Sequence, residues 1–373
     1  MSPVLRWIVP GLAAGILTVA LLHPSRSAPA PEGSDRHRAL WIDAETLASL
    51  PTRGPAWENL RDAADRPCGP VDVTDQSSSN NTCVLAKALV SARTGDEALR
   101  RDVVRALVSL VTADPYHGRA LALGRNLAAY VIAADLIGLE HRDPELDVRF
   151  RATLEALRVT PTWGAADDLI DCHERRPNNW GTHCGASRAA IALYLGDTED
   201  LGRTAVVFRG FLGDRASYDG FTFGGPYGDR DHSWECDQES PVGINPRGCT
   251  RNGRTIDGVI PDDQRRSGPF TWPPPKENYA WEALQGILVQ AVLLHRAGFP
   301  TFEWGDRAIL RAATWLHDVA DFPAEGDDTW QPHLLNHYLG TSFPAPVPSR
   351  PGKNMGWTDW THAAPLPAPP RVP

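Results

Sequence analysis

The chain has 373 residues, 42% of them hydrophobic, and a mean hydropathy of −0.32, which fits a water-soluble protein with one large domain or two ordinary ones. A net charge of −9 argues against broad binding to nucleic acid or anionic membrane, yet leaves room for a local positive patch that grips an anionic substrate. The 13 Trp, many of them in Gly/Pro-rich segments, suit core anchoring and also the apolar faces of sugar rings.

The N-terminus reads as an export signal over 1–30. Arg6 precedes an apolar run at 7–22, and SRSAPA offers small residues for cleavage near Ser27 or Ala30. The run is short for a membrane span and holds Pro10 and two Gly, so an uncleaved anchor is the second choice. This places the mature protein outside the cell, in the periplasm or at the cell surface. A linker over 31–40 leads to a folded region over 41–362. Six Cys in an exported chain imply disulfides. Their spacing favours three local bridges, Cys68–Cys83, Cys172–Cys184 and Cys236–Cys249, among the 15 connectivities that six Cys allow. No C-x-x-C pair is present, so no zinc site is expected.

Helical periodicity dominates from Trp41 onward. Leu99, Val103 and Leu107 share one face of a helix over 96–113, and further helices are predicted over 59–66, 125–139, 144–159, 185–197, 278–298 and 306–320. The run 205–213 fits a strand or a helix equally well. No long stretch alternates with period two, so the fold class is all-α, and successive helical hairpins suit a toroid. A helix-poor insertion over 218–275 is long enough to predict a functional role. The tail over 363–373, rich in Pro, is predicted to be disordered.

Four polar clusters interrupt this pattern. In CHERRPNNWGTHCGAS, Asn178 and Asn179 follow Pro177 just before a helix expected to begin near Gly185. Either Asn can simply cap that helix. Together with Trp180 and His183 they also make a wall of amide and imidazole donors suited to a carboxylate. In the insertion, His232 lies in a polar loop followed by Arg247, Arg251 and Arg254, which are a solvated surface or a grip on anionic groups. Tyr279 stands at the first turn of the helix that follows WPPPKEN, either as a packing residue or projecting into a cleft. Lys353, Asn354 and Trp357 lie in a Gly/Pro frame near the end, as a packed cap or a site wall. Phosphate loops, G-x-S-x-G, H-E-x-x-H and Rossmann fingerprints are absent from the sequence.

Three segments, RPNNWGTHCGASRAAIALYLGD, WPPPKENYAWEALQGILVQAVLLHRAGF and PGKNMGWTDWTH, in this order resemble secreted polysaccharide lyases of the alginate and glucuronan lyase type, in particular polysaccharide lyase family 38. The resemblance runs from about residue 85 to 362. It implies an (α/α) barrel with long irregular active-site loops, and β-elimination of a uronic-acid polymer without cofactor or metal, by a monomer whose partner is an anionic polysaccharide.

That reaction removes the proton at C5 and expels the oxygen at C4. It requires a neutralised carboxylate, a base and an acid. With hydrogen and oxygen on one side of the ring, as in mannuronate or glucuronate, one Tyr can act as base and acid in turn. With the two opposed, as in guluronate, a His base works against a Tyr acid. Tyr279 is therefore assigned as acid and potential base, and His232 as the separate base. Asn179 or Asn178 neutralises the carboxylate. His183, Trp180, Arg125, Asn126, Lys353 and Arg247 are substrate-binding candidates. Two rivals stay open. A glycoside hydrolase would draw opposed carboxylates from Asp167, Asp168, Glu235, Asp237 and Glu277. A non-catalytic glycan-binding protein would need neither Tyr279 nor His232.

Overall fold

Caps written in the sequence set the helix boundaries. A computed structural model describes residues 39–224, 231–348, 350–364 and 366. The expected export signal, most of the linker and most of the Pro-rich tail lie outside the described residues. The helices are α1 (Ala44–Ser49), α2 (Pro55–Asp65), α3 (Asn80–Thr94), α4 (Glu97–Val111), α5 (Ala120–Leu136), α6 (Leu139–Arg142), α7 (Pro144–Arg158), α8 (Leu169–Arg175), α9 (Asn179–Leu195), α10 (Thr198–Phe211), α11 (Pro261–Gln264), α12 (Asn278–Arg296), α13 (Trp304–Thr314), α14 (Gln331–Leu339) and α15 (Thr358–Thr361). Asp96, Asp143, Asp168, Asn178, Asp197 and Glu277 each accept a first-turn backbone N–H, as caps do. The strand-like run at 205–213 is the second half of α10, whose start is fixed by the Asp197 cap.

Two departures have a physical cause. The helix expected from Gly185 starts six residues earlier at Asn179, because Asn178 caps it, its Oδ1 accepting from Trp180 N at 3.1 Å. Helix α3 carried no prediction. It is buried on nearly every side, Lys87 and Ser91 included, so it lacks the one-sided apolar stripe that periodicity detects.

Packing runs in a circuit. Helix α3 lies between α2 and α5, α5 packs on α9, α9 on α12, α12 on α14, and α15 joins α14 back to α2. Helices α4, α7 and α10 pack outside this ring. The fold is an all-α toroid of paired helices. Its apolar ring helices α5 and α9 are buried along most of their length, which is why they are Ala-rich and nearly free of charge.

Helices α5, α9 and α12 run parallel. Gly124 meets the backbone at His183–Cys184 so closely that a methyl group there would stand 2.7 Å from Cys184 N. One turn on, Ala128 N donates to Ser187 Oγ at 2.9 Å. Gly286 similarly admits Thr182–His183, and Gln290 sits over Gly185. The amino ends of these helices therefore gather at one mouth of the toroid. The three expected local disulfides are present, and Cys172–Cys184 ties α8 to the second turn of α9. Within the described part of the insertion, regular structure is limited to α11, one 3₁₀ turn and the two-residue pair β1 (Thr250–Arg251) and β2 (Arg254–Thr255). Asn245 holds this segment together. Its Oδ1 accepts from Cys236 N, and its Nδ2 donates to the carbonyls of Trp234 and Ile256.

Candidate active site

The mouth carries a polar cluster from each ring helix. Asn179 and His183, four residues apart, share one face of α9. Both are 0% exposed, neither of the Asn179 amide atoms has a hydrogen-bond partner among the described residues, and the His183 imidazole has only Glu282 beside it. From α5, Arg125 Nη2 pairs with Glu282 of α12 at 2.5 Å, and the Glu282 carboxylate stands 3.9 Å from His183 Nε2. Burial, with Arg125 and Lys353 nearby, drives the His183 pKa well below the ordinary value, so its imidazole is neutral at pH 7. Buried polar groups are nearly always paired, so the unpaired Asn179 amide beside a neutral imidazole is a candidate for binding a ligand group.

The two Asn have different jobs. Asn178 is committed: beyond capping α9, its Nδ2 donates to Asp262 Oδ2 at 2.6 Å. Asn179 gives only its backbone N–H, to Asp263 Oδ1 at 3.2 Å. Asp263 is fully buried, and desolvation followed by the neighbouring Asp262 raises its pKa well above the usual range, so this carboxyl is neutral. Asp262 in turn pairs with Arg265 at 2.8 Å. Arg176 and Arg266 lie within electrostatic range of this turn, with Glu277 as an opposing charge.

Tyr279 faces solvent. It is 42% exposed, one turn before Glu282 on α12, with the Arg266 guanidinium 4.8 Å from its ring centroid. The Glu277 cap accepts from Tyr279 N at 2.9 Å and fixes the turn. The insertion delivers His232 to the same side. Trp234 Nε1 donates to Gly268 O at 3.0 Å and Ser233 Oγ accepts from Phe270 N at 2.7 Å, docking the loop on the segment just after Arg266. Glu235 Oε2 lies 2.7 Å from His232 Nδ1. That contact orients the ring and leaves Nε2 without a partner in it.

Other candidates take supporting places. Asn126 Nδ2 donates to the carbonyls of Asp75 and Ala122, and Arg125 Nη1 reaches Gln76 O, so together they hold the loop before α3. Lys353 pairs with Asp327 at 2.9 Å, and its backbone is held by Gln285 and Asn81. Trp180 is half-buried at the first turn of α9. Arg247 is not brought into the cluster: it pairs with Asp306 at the start of α13 on an exposed surface. Asp263 and Arg266 carried no expectation from the sequence, and Glu282 enters the cluster one turn after Tyr279.

Fold and site together define an all-α toroid with a polar mouth, built from buried amide and imidazole donors beneath an exposed phenol. Among solved structures, an alginate lyase from Bacteroides ovatus is similar, with 14% identity over 75% of this chain and 83% of that chain, and a TM-score of 0.46. No protein-family model matches the chain, and no curated protein matches it.

Proposed function

We propose that the protein is a polysaccharide lyase that cleaves a uronic-acid polymer, polymannuronate or glucuronan, by β-elimination. The observation that carries this reading is the buried, unpaired Asn179 amide beside the neutral His183 imidazole, in the cluster that Tyr279 overlooks. Neutral N–H donors are what a uronate carboxylate needs for its C5 proton to become removable.

In the proposed sequence, the substrate carboxylate meets the Asn179 amide and the His183 imidazole, with Arg266 and Lys353 supplying positive charge nearby. Because Asn179 and His183 lie beneath the surface, this contact requires the side chains above them to part on binding. A base takes the C5 proton, and the electron pair left on C5 is held as the enolate of the neutralised carboxylate. That pair forms the C4=C5 double bond as the C4–O bond breaks, and Tyr279 gives its hydroxyl proton to the departing oxygen. For substrates with hydrogen and oxygen on one face, the Tyr279 phenolate is also the base. For opposed geometry His232 Nε2 takes that role, oriented by Glu235. Asn178 is left to structure, since capping and Asp262 occupy its amide.

The hydrolase rival is weakened by the work its carboxylates already do. Asp168 and Glu277 cap α8 and α12, Glu235 holds His232, and Asp237 accepts from Glu239 N. The test is incubation with polymannuronate, polyguluronate and glucuronan while following ultraviolet absorbance of the unsaturated product. Growth on a uronate polymer supports the reading; new reducing ends without absorbance would sink it.

A further inference from the structure

Next to Lys353, on the side of the mouth formed by α2 and α3, the surface opens into a polar cleft of about 540 Å³. Three cations line it from two segments: Arg66 just past α2, and Arg350 with Lys353 from the stretch near the end of the chain. Two acids also line it. Asp327 binds both Arg350 at 3.1 Å and Lys353 at 2.9 Å, and Asp62 lies on the α2 wall. Arg66 is exposed and has no ion-pair partner among the described residues. In a chain of net charge −9, three cations around one cleft are a local reversal of sign.

The walls are built to stay in place. Cys68–Cys83 ties the segment after Arg66 to the first turn of α3. Asn80 closes the same clasp, accepting from Gly69 N at 2.9 Å and donating to Pro70 O at 2.6 Å. The cleft also holds Trp357, half-buried, with a backbone φ of 66°. A bulky side chain in the left-handed region costs of order 1–3 kcal/mol, and such residues cluster at ligand clamps. Indole beside guanidinium and ammonium groups is the combination that recognises an acidic sugar, the ring stacking on C–H faces and the cations pairing with the carboxylate.

We infer that this cleft is a second saccharide-binding site, which holds a uronate unit of the same chain some way along the polymer from the bond that is cut. The inference rests on the polyuronate reading above and extends it to a chain-length preference. Lys353 is the link between the two places: its ammonium lines the cleft, its charge reaches His183, and its backbone carbonyl accepts from Asn81, whose Nδ2 also binds Arg125 O.

The test compares wild type with the double variant Arg66→Gln/Arg350→Gln. Affinity electrophoresis gives Kd for polymannuronate and glucuronan at low and physiological salt. Turnover is measured on long polymer and on a trisaccharide too short to span both places. Polymer Kd and KM are expected to rise about tenfold, the worth of one charge-assisted hydrogen bond, with a weaker salt dependence. The variant's kcat, its trisaccharide KM and its Tm stay at wild-type values. An unchanged polymer Kd, a trisaccharide KM that rises equally, or a fall in Tm that marks the two Arg as structural would each overturn the inference, as would absence of wild-type binding. Polymer binding that the double variant loses, without unsaturated product from the wild type, would remove the lyase reading and keep the cleft as a polyanion site.

Discussion

Replacing Asn179 by Ala separates folding from function. The Asn179 side chain is fully buried and neither of its polar atoms has a partner. Burying an amide without compensation costs roughly 1–3 kcal/mol, and nothing where water fills in. Against this gain stands a small cavity. The expected stability change is therefore between zero and about +2 kcal/mol, read in a chain of this size as a Tm unchanged or raised by a few degrees. Activity should behave oppositely: loss of one donor to the developing negative charge costs on the order of 10²–10³ in kcat. Asn178→Ala is the control. It removes a cap worth about 1 kcal/mol and the donor to buried Asp262, so it should lower Tm more than Asn179→Ala does. The assays are calorimetric melting and initial rates by ultraviolet absorbance. An Asn179→Ala protein that melts well below wild type, or keeps its full rate, refutes the reasoning.

Four further outcomes follow from the same geometry. Tyr279→Phe keeps the fold, since the hydroxyl makes no hydrogen bond among the described residues and the ring is 42% exposed, but should lose about 10²–10⁴ in kcat in the absorbance assay. Glu282→Gln leaves Arg125 charged and buried without its carboxylate and should cost about 3–5 kcal/mol in denaturant unfolding. Removing the 12-residue Cys172–Cys184 link by a double Ser substitution should cost roughly 3 kcal/mol, read the same way. Burial pushes the Asp328 pKa up to about 8, while its Oδ1 accepts from Gln285 and Gln331. The folded state then holds a proton that the unfolded chain has released. Asp328 thus contributes stability that is present below about pH 4 and lost as pH rises through about 8. Asp328→Asn should gain on wild type between pH 5 and 8 in melting experiments, and equal slopes would refute the assignment.

The all-α class and most helices were legible because one-sided apolar periodicity and Asp, Asn and Gly end signals survive in single segments such as α4 and α7. Helix α3 was not, since a helix buried all round has no stripe to read. The site was half-legible. Asn179, His183 and Tyr279 stood out because polar residues crowded helix starts. Their depth did not: Asn179 and His183 looked like cleft walls and lie beneath the surface, because ring closure through Gly124 and Gly286 brings α5 and α12 against α9. Glu282, Asp263 and Arg266 join the site only through contacts between segments distant in sequence. Arg247 pointed the other way for the same reason: its partner, Asp306, lies 59 positions on.

Proton NMR of the digest tests the central claim most directly. After incubation with polymannuronate or glucuronan, each new chain end should carry a vinyl H4 signal, and the signal should grow in step with the new reducing ends. New reducing ends with saturated partners and no vinyl signal would contradict β-elimination and point to hydrolysis on the same toroid.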